Sequence, residues 1–375
     1  MSKVSELIKE LCPTGVKSYE IKEVSSVTIG EFVHKNKQSD DGKYPVYNGG
    51  TSNTGFYDEY NNDGHKVIIS ARGANAGFIN RVKGKYWAGN SCYTININDE
   101  SQLDWNYLYQ YLKNNQSTLL GVQQTGSIPA ISKKQVEEFK IAIPPLAVQQ
   151  EIVRILDKFG ELEVELEVEL EARKSQYEFW HGQLFNKAGN TKIADVFRRL
   201  KGTSITAGTM KEIEDPEGDI RIFAGGQTAV NARVESINKP NIIDVPCVIV
   251  QSRGLIDFIY YDKPCTFKNE MWAYTCDNQI TVKYLYYYLK NNVQYFRTIG
   301  SQMGSMPQIS LPVTEKYNIY LPSLDEQKRI VNILDKFDTL VNDITSGIPA
   351  EIELRRQQYE YYRNKLLNFE ELKVN

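Results

Sequence analysis

On a helical wheel that starts at Ile152 and advances 100° per residue, Ile155, Leu156, Phe159, Leu162, Leu166, Leu170, Tyr177, Trp180 and Leu184 fall in one arc of roughly 120°. The pattern predicts a single amphipathic helix over residues 147 to 185, roughly 58 Å long at a rise of ~1.5 Å per residue. Glu161 to Glu171 alternates charged and apolar side chains with period two, which is also a strand pattern. A strand would line up six carboxylates on one face, and Glu and Leu are good helix formers, so a helix is expected there. On that helix Val164, Val168 and Ala172 form a second apolar strip, as if the helix were contacted from both sides. The stripe recurs as Ile330, Ile333, Leu334, Phe337, Leu340, Val341 and Ile344. It is expected to break at Gly347-Ile348-Pro349 and to resume toward Tyr359, Tyr362 and Leu366. Either helix alone leaves a long apolar seam, and the nearest partner of equal length is the other one. An antiparallel coiled-coil pair with a pseudo-twofold axis is therefore expected.

The intervening segments have a different texture. In residues 17 to 143, runs such as Val67 to Ser70, Phe78-Ile79 and Tyr93 to Ile97 alternate with Gly- and Asn-rich turns, which predicts strands joined by irregular loops. A helix is expected at Trp105 to Lys113, ended by Asn114-Asn115. The order returns with Cys247 to Val250, Phe258 to Tyr261 and Tyr284 to Lys290, so each segment reads as an α+β unit.

The chain repeats itself. Residues 126 to 159 carry Gly-Ser-Ile-Pro-Ala-Ile-Ser, Ile-Pro-Pro-Leu and Ile-Val-Arg-Ile-Leu-Asp-Lys-Phe; residues 304 to 337 carry Gly-Ser-Met-Pro-Gln-Ile-Ser, Leu-Pro-Ser-Leu and Ile-Val-Asn-Ile-Leu-Asp-Lys-Phe, at an offset of 178. Tyr111 to Asn115 returns as Tyr288 to Asn292, and Arg173 to Glu178 as Arg355 to Glu360. Two similar units follow, and with them two similar binding events.

Charge sharpens this division. The net charge of −3 conceals 14 basic and 13 acidic residues in 17–143 and 15 and 13 in 191–322, against 4 and 9 in 147–185 and 8 and 10 in 323–375. The acid lies in the helices, which leaves the two units free to present a basic face each. No run of 18 apolar residues occurs, so a soluble, cytoplasmic protein without a membrane partner is expected. The five cysteines are widely spaced and form no C-x-x-C, which excludes a disulfide framework and a zinc knuckle.

Enzymatic signatures are missing. No aspartate- or asparagine-Pro-Pro-aromatic motif for amino-methyl transfer is present, and Gly121 to Ser127 has phosphate-loop glycine spacing without the lysine. Asp104 with Glu138-Phe-Lys140 resembles a nuclease cluster, yet the second copy has Lys316-Tyr-Asn318 there. The three histidines are scattered, and the tyrosines Tyr107, Tyr111, Tyr284, Tyr286 and Tyr288 lie at core-forming helical spacing.

What differs between the copies is the polar loops. Asn48-Gly-Gly-Thr-Ser-Asn-Thr becomes Ala224-Gly-Gly-Gln-Thr-Ala-Val, a shared frame with divergent loops that suits two readers of different targets. Arg72 and Arg253 each follow an apolar strand and precede a glycine, where an arginine can reach a guanine edge or a phosphate. Asn75 and Gln227 join them as candidates in the same loops. Gln123, Gln124 and Ser127, matched by Ser301, Gln302 and Ser305, suit hydrogen bonds to adenine or phosphate, and Lys83, Lys85, Lys263 and Lys268 suit phosphate. A coiled-coil scaffold with two protein-binding heads is the alternative that the acidic helices favour.

The duplication, the Gly-Ser-x-Pro-x-Ile-Ser loop, the Ile-Leu-Asp-Lys-Phe helices and the run Ala350 to Arg363 together resemble the specificity (S) subunit of type I restriction-modification systems. The resemblance implies a first target-recognition domain (1–145), a central helical spacer (146–186), a second target-recognition domain (187–322) and a C-terminal helical spacer (323–375). Each domain would read one half of a split site on double-stranded DNA. The helices would act as a ruler and dock two methyltransferase subunits through Ile152, Ile155, Phe159, Leu162, Leu166 and Leu170, and through Ile330, Ile333, Phe337, Leu340 and Ile344. S-adenosylmethionine would then be carried by those partners, ATP and Mg by added restriction subunits, and no cofactor, metal or catalytic residue by this chain. One departure is that the first copy is four residues shorter between Asp157 and Arg173 than the second is between Asp335 and Arg355, and lacks the Gly-Ile-Pro break.

Overall fold

The computed structural model describes residues 2–121, 129–226, 228–237, 241–302, 306–370 and 372. In the first repeat the elements are α1 (Ser2–Leu11), β1 (Ser18–Glu20), α2 (Ile21–Val24), β2 (Ser25–Ile29), β3 (Tyr44–Tyr47), β4 (Gly55–Tyr57), β5 (Lys66–Ser70), β6 (Ile79–Val82), β7 (Trp87–Ala88), β8 (Cys92–Ile97), α3 (Trp105–Asn114), α4 (Gln116–Gly121), α5 (Lys133–Glu137), β9 (Lys140–Ala142) and α6 (Leu146–Leu184). In the second they are β10 (Thr191–Lys192), α7 (Ile193–Val196), β11 (Arg198–Lys201), α8 (Ala207–Glu212), β12 (Ile220–Phe223), β13 (Ala229–Ala232), β14 (Cys247–Gln251), β15 (Asp257–Tyr261), β16 (Cys265–Phe267), β17 (Trp272–Thr275), α9 (Gln279–Asn291), α10 (Val293–Ser301), α11 (Leu311–Glu315), β18 (Asn318–Ile319), α12 (Leu324–Asn342) and α13 (Ile348–Leu367).

Sheet order is the same in both repeats. The first builds a four-stranded sheet β2-β8-β5-β6, a three-stranded sheet β4-β3-β7 and the pair β1-β9; the second builds β11-β17-β14-β15, β13-β12-β16 and β10-β18. Each three-stranded sheet contains one antiparallel and one parallel pair, again at equivalent places. The duplicated sequence thus produces a duplicated topology.

By compactness the chain forms two units, residues 1–167 with 351–375 and residues 168–350. The division falls inside α6, and the segments that follow the repeats are exchanged. In the first unit α13 runs antiparallel to the start of α6: Phe159 meets Tyr362 at 5.4 Å and Tyr359 at 6.4 Å, and Arg356 pairs with Glu163 and, at 2.8 Å, with Glu167. In the second unit the end of α6 packs on α12, with Tyr177 6.2 Å from Phe337. Tyr177 and Tyr359 occupy the same position of the repeated Arg-x-x-Gln-Tyr-Glu run, and Phe159 and Phe337 the same position of Ile-Leu-Asp-Lys-Phe. Each head therefore holds its own outgoing helix and the last helical stretch of the other repeat.

The helix starts are duplicated in detail. Ile152 and Leu156 in one unit, and Ile330 and Leu334 in the other, are buried in the main core. Gln149, wholly buried, donates to Pro144 O (2.7 Å) and Gln102 O (2.8 Å) and accepts from Asp104 N (2.9 Å); Gln327 donates to Pro322 O (2.8 Å). Tyr107 OH and Tyr284 OH reach the carbonyls of Ala142 (2.7 Å) and Tyr320 (2.8 Å). Asp157 pairs with Arg81 at 3.4 Å, and Asp335 with Lys283 at 2.9 Å and Tyr287 OH at 2.6 Å. The repeated Asp is thus a tie from helix to head.

The helical pattern needs corrections. Glu161 to Glu171 is helical as expected, but Val164 and Val168 are 59% and 64% exposed, so the second strip is uncovered. Leu162 and Leu340 are exposed as well, as is Trp180, while His181 and Phe185 take the buried places at the end of α6. The stripe does not run through Ile344. Helix α12 ends at Asn342, and Asp343 folds the chain into a turn by accepting from Thr345 N (2.7 Å), Thr345 Oγ1 (2.6 Å) and Ser346 Oγ (2.6 Å), which leaves Ile344 80% exposed. Those bonds hold the Asp343 carboxyl down to about 2. Gly347 closes this turn, its N donating to Asp343 O at 2.9 Å, and Ile348 and Pro349 begin the next helix instead of ending the last one; a proline in the first turn sacrifices no helical hydrogen bond.

No helix among the described residues is long and apolar enough to cross a membrane.

The exchanged stretches differ in chemistry at one equivalent pair, Arg363, half-buried in the first unit, and His181, buried in the second. Arg363 in the first unit donates to Asn114 Oδ1 (3.3 Å), and its repeat equivalent His181 donates through Nδ1 to Asn291 Oδ1 (2.9 Å), with Nε2 buried and unpartnered. Burial pushes the His181 pKa below 6.5, aided by Lys290 and opposed by the Asn291 bond and Asp338. The unfolded chain therefore takes up this proton first, and stability falls as pH drops through about 6.5. Thermal melting between pH 7.5 and 5.5 should show a larger loss for the wild type than for His181→Gln, which keeps a neutral polar side chain there.

Candidate nucleic-acid interface

Arg72 and Arg253 sit on exposed turns built in the same way. Arg72 bridges Ala130, Gly73 N donates to Pro129 O (2.9 Å) and Ile131 N donates to Ala71 O (3.0 Å). Arg253 bridges Gln308, Gly254 N donates to Pro307 O (2.9 Å) and Ile309 N donates to Ser252 O (2.9 Å). Gly73 and Gly254 both have positive φ, 97° and 72°, a conformation that glycine adopts without strain. The Pro-x-Ile-Ser half of the repeated loop is thus a latch that fixes the arginine turn to the head. Its serines stand at the N-cap of the next short helix, where Ser132 accepts from Gln135 N (3.2 Å) and Ser310 makes no side-chain cap bond. The sequence gives no separate sign of this structural role, although the shared register of both copies carries it.

The glycine-rich loop lies against this turn in the first unit. A Cβ on Gly49 would meet Arg72 O at 2.1 Å, and Ser70 Oγ donates to Gly50 O at 2.7 Å. Asn75 is exposed on the same loop, which closes through Gly77 N to Ser70 O (2.7 Å) and Phe78 N to Asn75 O (2.9 Å). In the second unit the corresponding loop is tied by Gln251, which donates to Gly226 O. Arg72 and Asn75 are therefore brought together on one surface with the Asn48–Gly50 loop. Gln123, Gln124, Ser127, Gln227 and Ser305 lie outside the described residues. Ser301 and Gln302 are exposed at the end of α10.

The lysines are placed unequally. Lys83 is exposed, lies 5.6 Å from the Trp105 ring and lines a cavity of about 730 Å³ with Arg81, Glu161, Glu163, Glu165 and Glu167. Lys85 lies 4.3 Å from the Tyr60 ring, whose hydroxyl raises its pKa. Lys263 is exposed beyond β15, whereas Lys268 is paired with Glu270 at 3.1 Å. Asp104, the aspartate of the nuclease-like cluster, caps α3 by accepting from Tyr107 N at 2.9 Å.

The model of the family described as type I restriction modification DNA specificity domain matches residues 13–173 and 188–354. The chain belongs to this family. Among its relatives, the specificity subunit of the type I restriction enzyme EcoR124I/EcoR124II from Escherichia coli is 34% identical over 244 residues, a stretch covering 60% of either protein. S.MpnORF507P, named a type I specificity subunit, from Mycoplasma pneumoniae is 27% identical over 94% of this chain and 98% of its own length. S.HindORF215P from Haemophilus influenzae, named a type I restriction enzyme specificity subunit, is 29% identical over 88% and 89%. The crystal structure of a type I restriction-modification S subunit from M. genitalium shares the fold with a TM-score of 0.62 at 18% identity, over 94% of this chain and 96% of that one. A second S-subunit structure, HsdS from Thermoanaerobacter tengcongensis, gives 0.51 at 15%, over 95% and 97%.

Both matched segments of the family end inside the helices, at 173 and 354, so the helix starts belong to the family pattern as much as the heads do. The residues least legible in the sequence were Gln149 and Gln327, which tie the helix starts, and Gly73 and Gly254, which shape the candidate turns. Replacing Gly73 or Gly254 with alanine meets no close neighbour but forces a side chain into the left-handed region, at a cost of about 1–2 kcal/mol. Amide hydrogen exchange at Ile131 or Ile309, respectively, should accelerate in the variant and stay unchanged in the other unit.

Proposed function

We propose that this chain is the DNA-specificity subunit of a type I restriction-modification complex, each unit reading one half of a bipartite site on double-stranded DNA. The observation that carries the reading is the twice-built arginine turn, latched by identical hydrogen bonds and surrounded by loops that differ between the units. A common frame with unlike loops is what reading two unlike half-sites requires, since phosphate contacts position a protein and base-edge contacts specify. Family membership of both segments supports the same conclusion.

On this reading the chain is not itself a catalyst. Two modification subunits dock on the helices and bring S-adenosylmethionine, with restriction subunits adding ATP- and Mg-dependent cleavage. The uncovered valines Val164 and Val168 suit a helix that meets a partner. Methylation of a base within a duplex requires its extrusion, which falls to those partners. Helix α6 acts as the spacer, since two readers on one face of B-DNA must stand about one helical turn, ~34 Å, or a multiple apart.

Methylome sequencing of a host that expresses the chain with its modification subunits tests this directly. Arg72→Ala should relax one half-site and Arg253→Ala the other, each by about 1–3 kcal/mol of discrimination. Deleting one or two helical turns after Asp157 should alter the spacer and leave both half-sites intact. Altered bases in the deletion variant, or a modified motif indifferent to both arginines, would contradict the proposal.

A further inference from the structure

The first unit holds a groove of about 600 Å³ beside its arginine turn, lined by Phe32, Val33, His34, Lys35, Gln38, Asn48, Thr54, Asn90 and Ser91. Its floor is continuous with that turn: Asn48 precedes the Gly49 that lies against Arg72 O, and Ser91 O accepts from Ala71 N at 2.8 Å. Phe32 stands at the rim 63% exposed, its ring edge-on to His34 at 4.8 Å. A single exposed aromatic is ordinary on a protein surface. Here it flanks a wall of amides and hydroxyls, where Asn48 Nδ2 donates to Thr54 Oγ1 at 3.0 Å and Gln38 Nε2 to Val33 O at 3.4 Å.

The second unit isolates what is special about Phe32. Gly30 and Gly202 are equivalent, because a Cβ on either would strike a carbonyl oxygen of the neighbouring strand, Ala88 O at 2.0 Å or Phe267 O at 2.1 Å. The next amides also make the same bond, Glu31 N to Ala88 O (2.9 Å) and Thr203 N to Phe267 O (2.7 Å). The residue after that is Phe32 in one unit and the exposed Ser204 in the other. An identical frame thus presents an aromatic ring in only one of the two readers.

We propose that Phe32 is a specificity-determining residue that stacks on a base of the half-site read by the first unit, while the amides of the adjoining groove address that base's edge. The inference rests on the DNA-reading function proposed above. A planar ring beside amide donors and acceptors matches a ligand that has a π face and a hydrogen-bonding edge, which is the chemistry of a nucleobase. Lys35 at the groove supplies a cation for the neighbouring phosphate. Apolar side chains also wedge between base steps, so the ring can act on a stacked or an opened step.

The test uses the full chain, alone and together with its host's modification subunits, equilibrated with a duplex pool of random sequence whose bound fraction is sequenced. The wild type should enrich a two-part sequence. Phe32→Ala should lose preference at about one or two adjacent base pairs in a single half and bind the wild-type sequence roughly ten- to hundred-fold more weakly. Phe32→Trp, which keeps a stacking face, should retain both. Ser204→Ala in the other unit should change nothing. If Phe32→Ala enriches the wild-type sequence with unchanged affinity, the role of Phe32 is overturned while DNA reading stands. A wild type that enriches no sequence in either form would overturn DNA reading, and this role with it.

Discussion

A single turn of helix, seated in each head, is the constraint on which the structure depends. Leu156 and Leu334 are wholly removed from water, and Ile152 and Ile330 lie beside them in the same cores. Truncating a buried leucine to alanine typically costs about 2–5 kcal/mol, a large part of what keeps a domain folded. Gln149 and Gln327 tie the backbone of the preceding proline loops to these turns, and Asp157 and Asp335 tie the helix surface to Arg81 and to Lys283 with Tyr287. The direction in which each helix leaves its head is set here.

From that turn onward each helix serves the other repeat. Residues 168–184 of α6 belong to the second unit and residues 351–367 of α13 to the first, and equivalent side chains make equivalent contacts: Tyr177 on Phe337, Tyr359 on Phe159. The exchange explains why the Arg-x-x-Gln-Tyr-Glu run is preserved between copies although it lies far from any head in sequence. It must fit the core of the opposite repeat, and the two cores are near copies. Where the fit differs, at Arg363 and His181, the difference is chemical: a permanent cation bonds Asn114 in one unit, and a neutral, buried imidazole bonds Asn291 in the other.

Much of this was legible in the amino acids. The 3.6-residue stripe gave α6 within a residue at each end, and the repeat gave two heads of one topology, since identical apolar spacing must build identical sheets. The break in the second helix was expected at Gly347, but it opens four residues earlier, where Asp343 makes the turn, and the proline starts the next helix instead of stopping the last. The second apolar strip was legible as apolar, but periodicity does not say whether a partner covers it. At the candidate interface, Arg72 and Arg253 stood out because each follows an apolar run and precedes a glycine. Lys83 is exposed, lies over the Trp105 ring and shares a cavity with glutamates of α6, surroundings that a loop lysine does not reveal in sequence. Phe32 was invisible, since an aromatic in a polar loop looks like any other until the groove beside it is seen.

The account holds that one frame, built twice, carries two independent readers. Exchanging residues 191 to 322 for the corresponding segment of a relative with a different target, followed by methylome sequencing, tests that independence most directly. The account predicts a modified motif in which one half changes to the donor's sequence while the other half and the spacer are retained. A change in both halves, or no change in either, would contradict it.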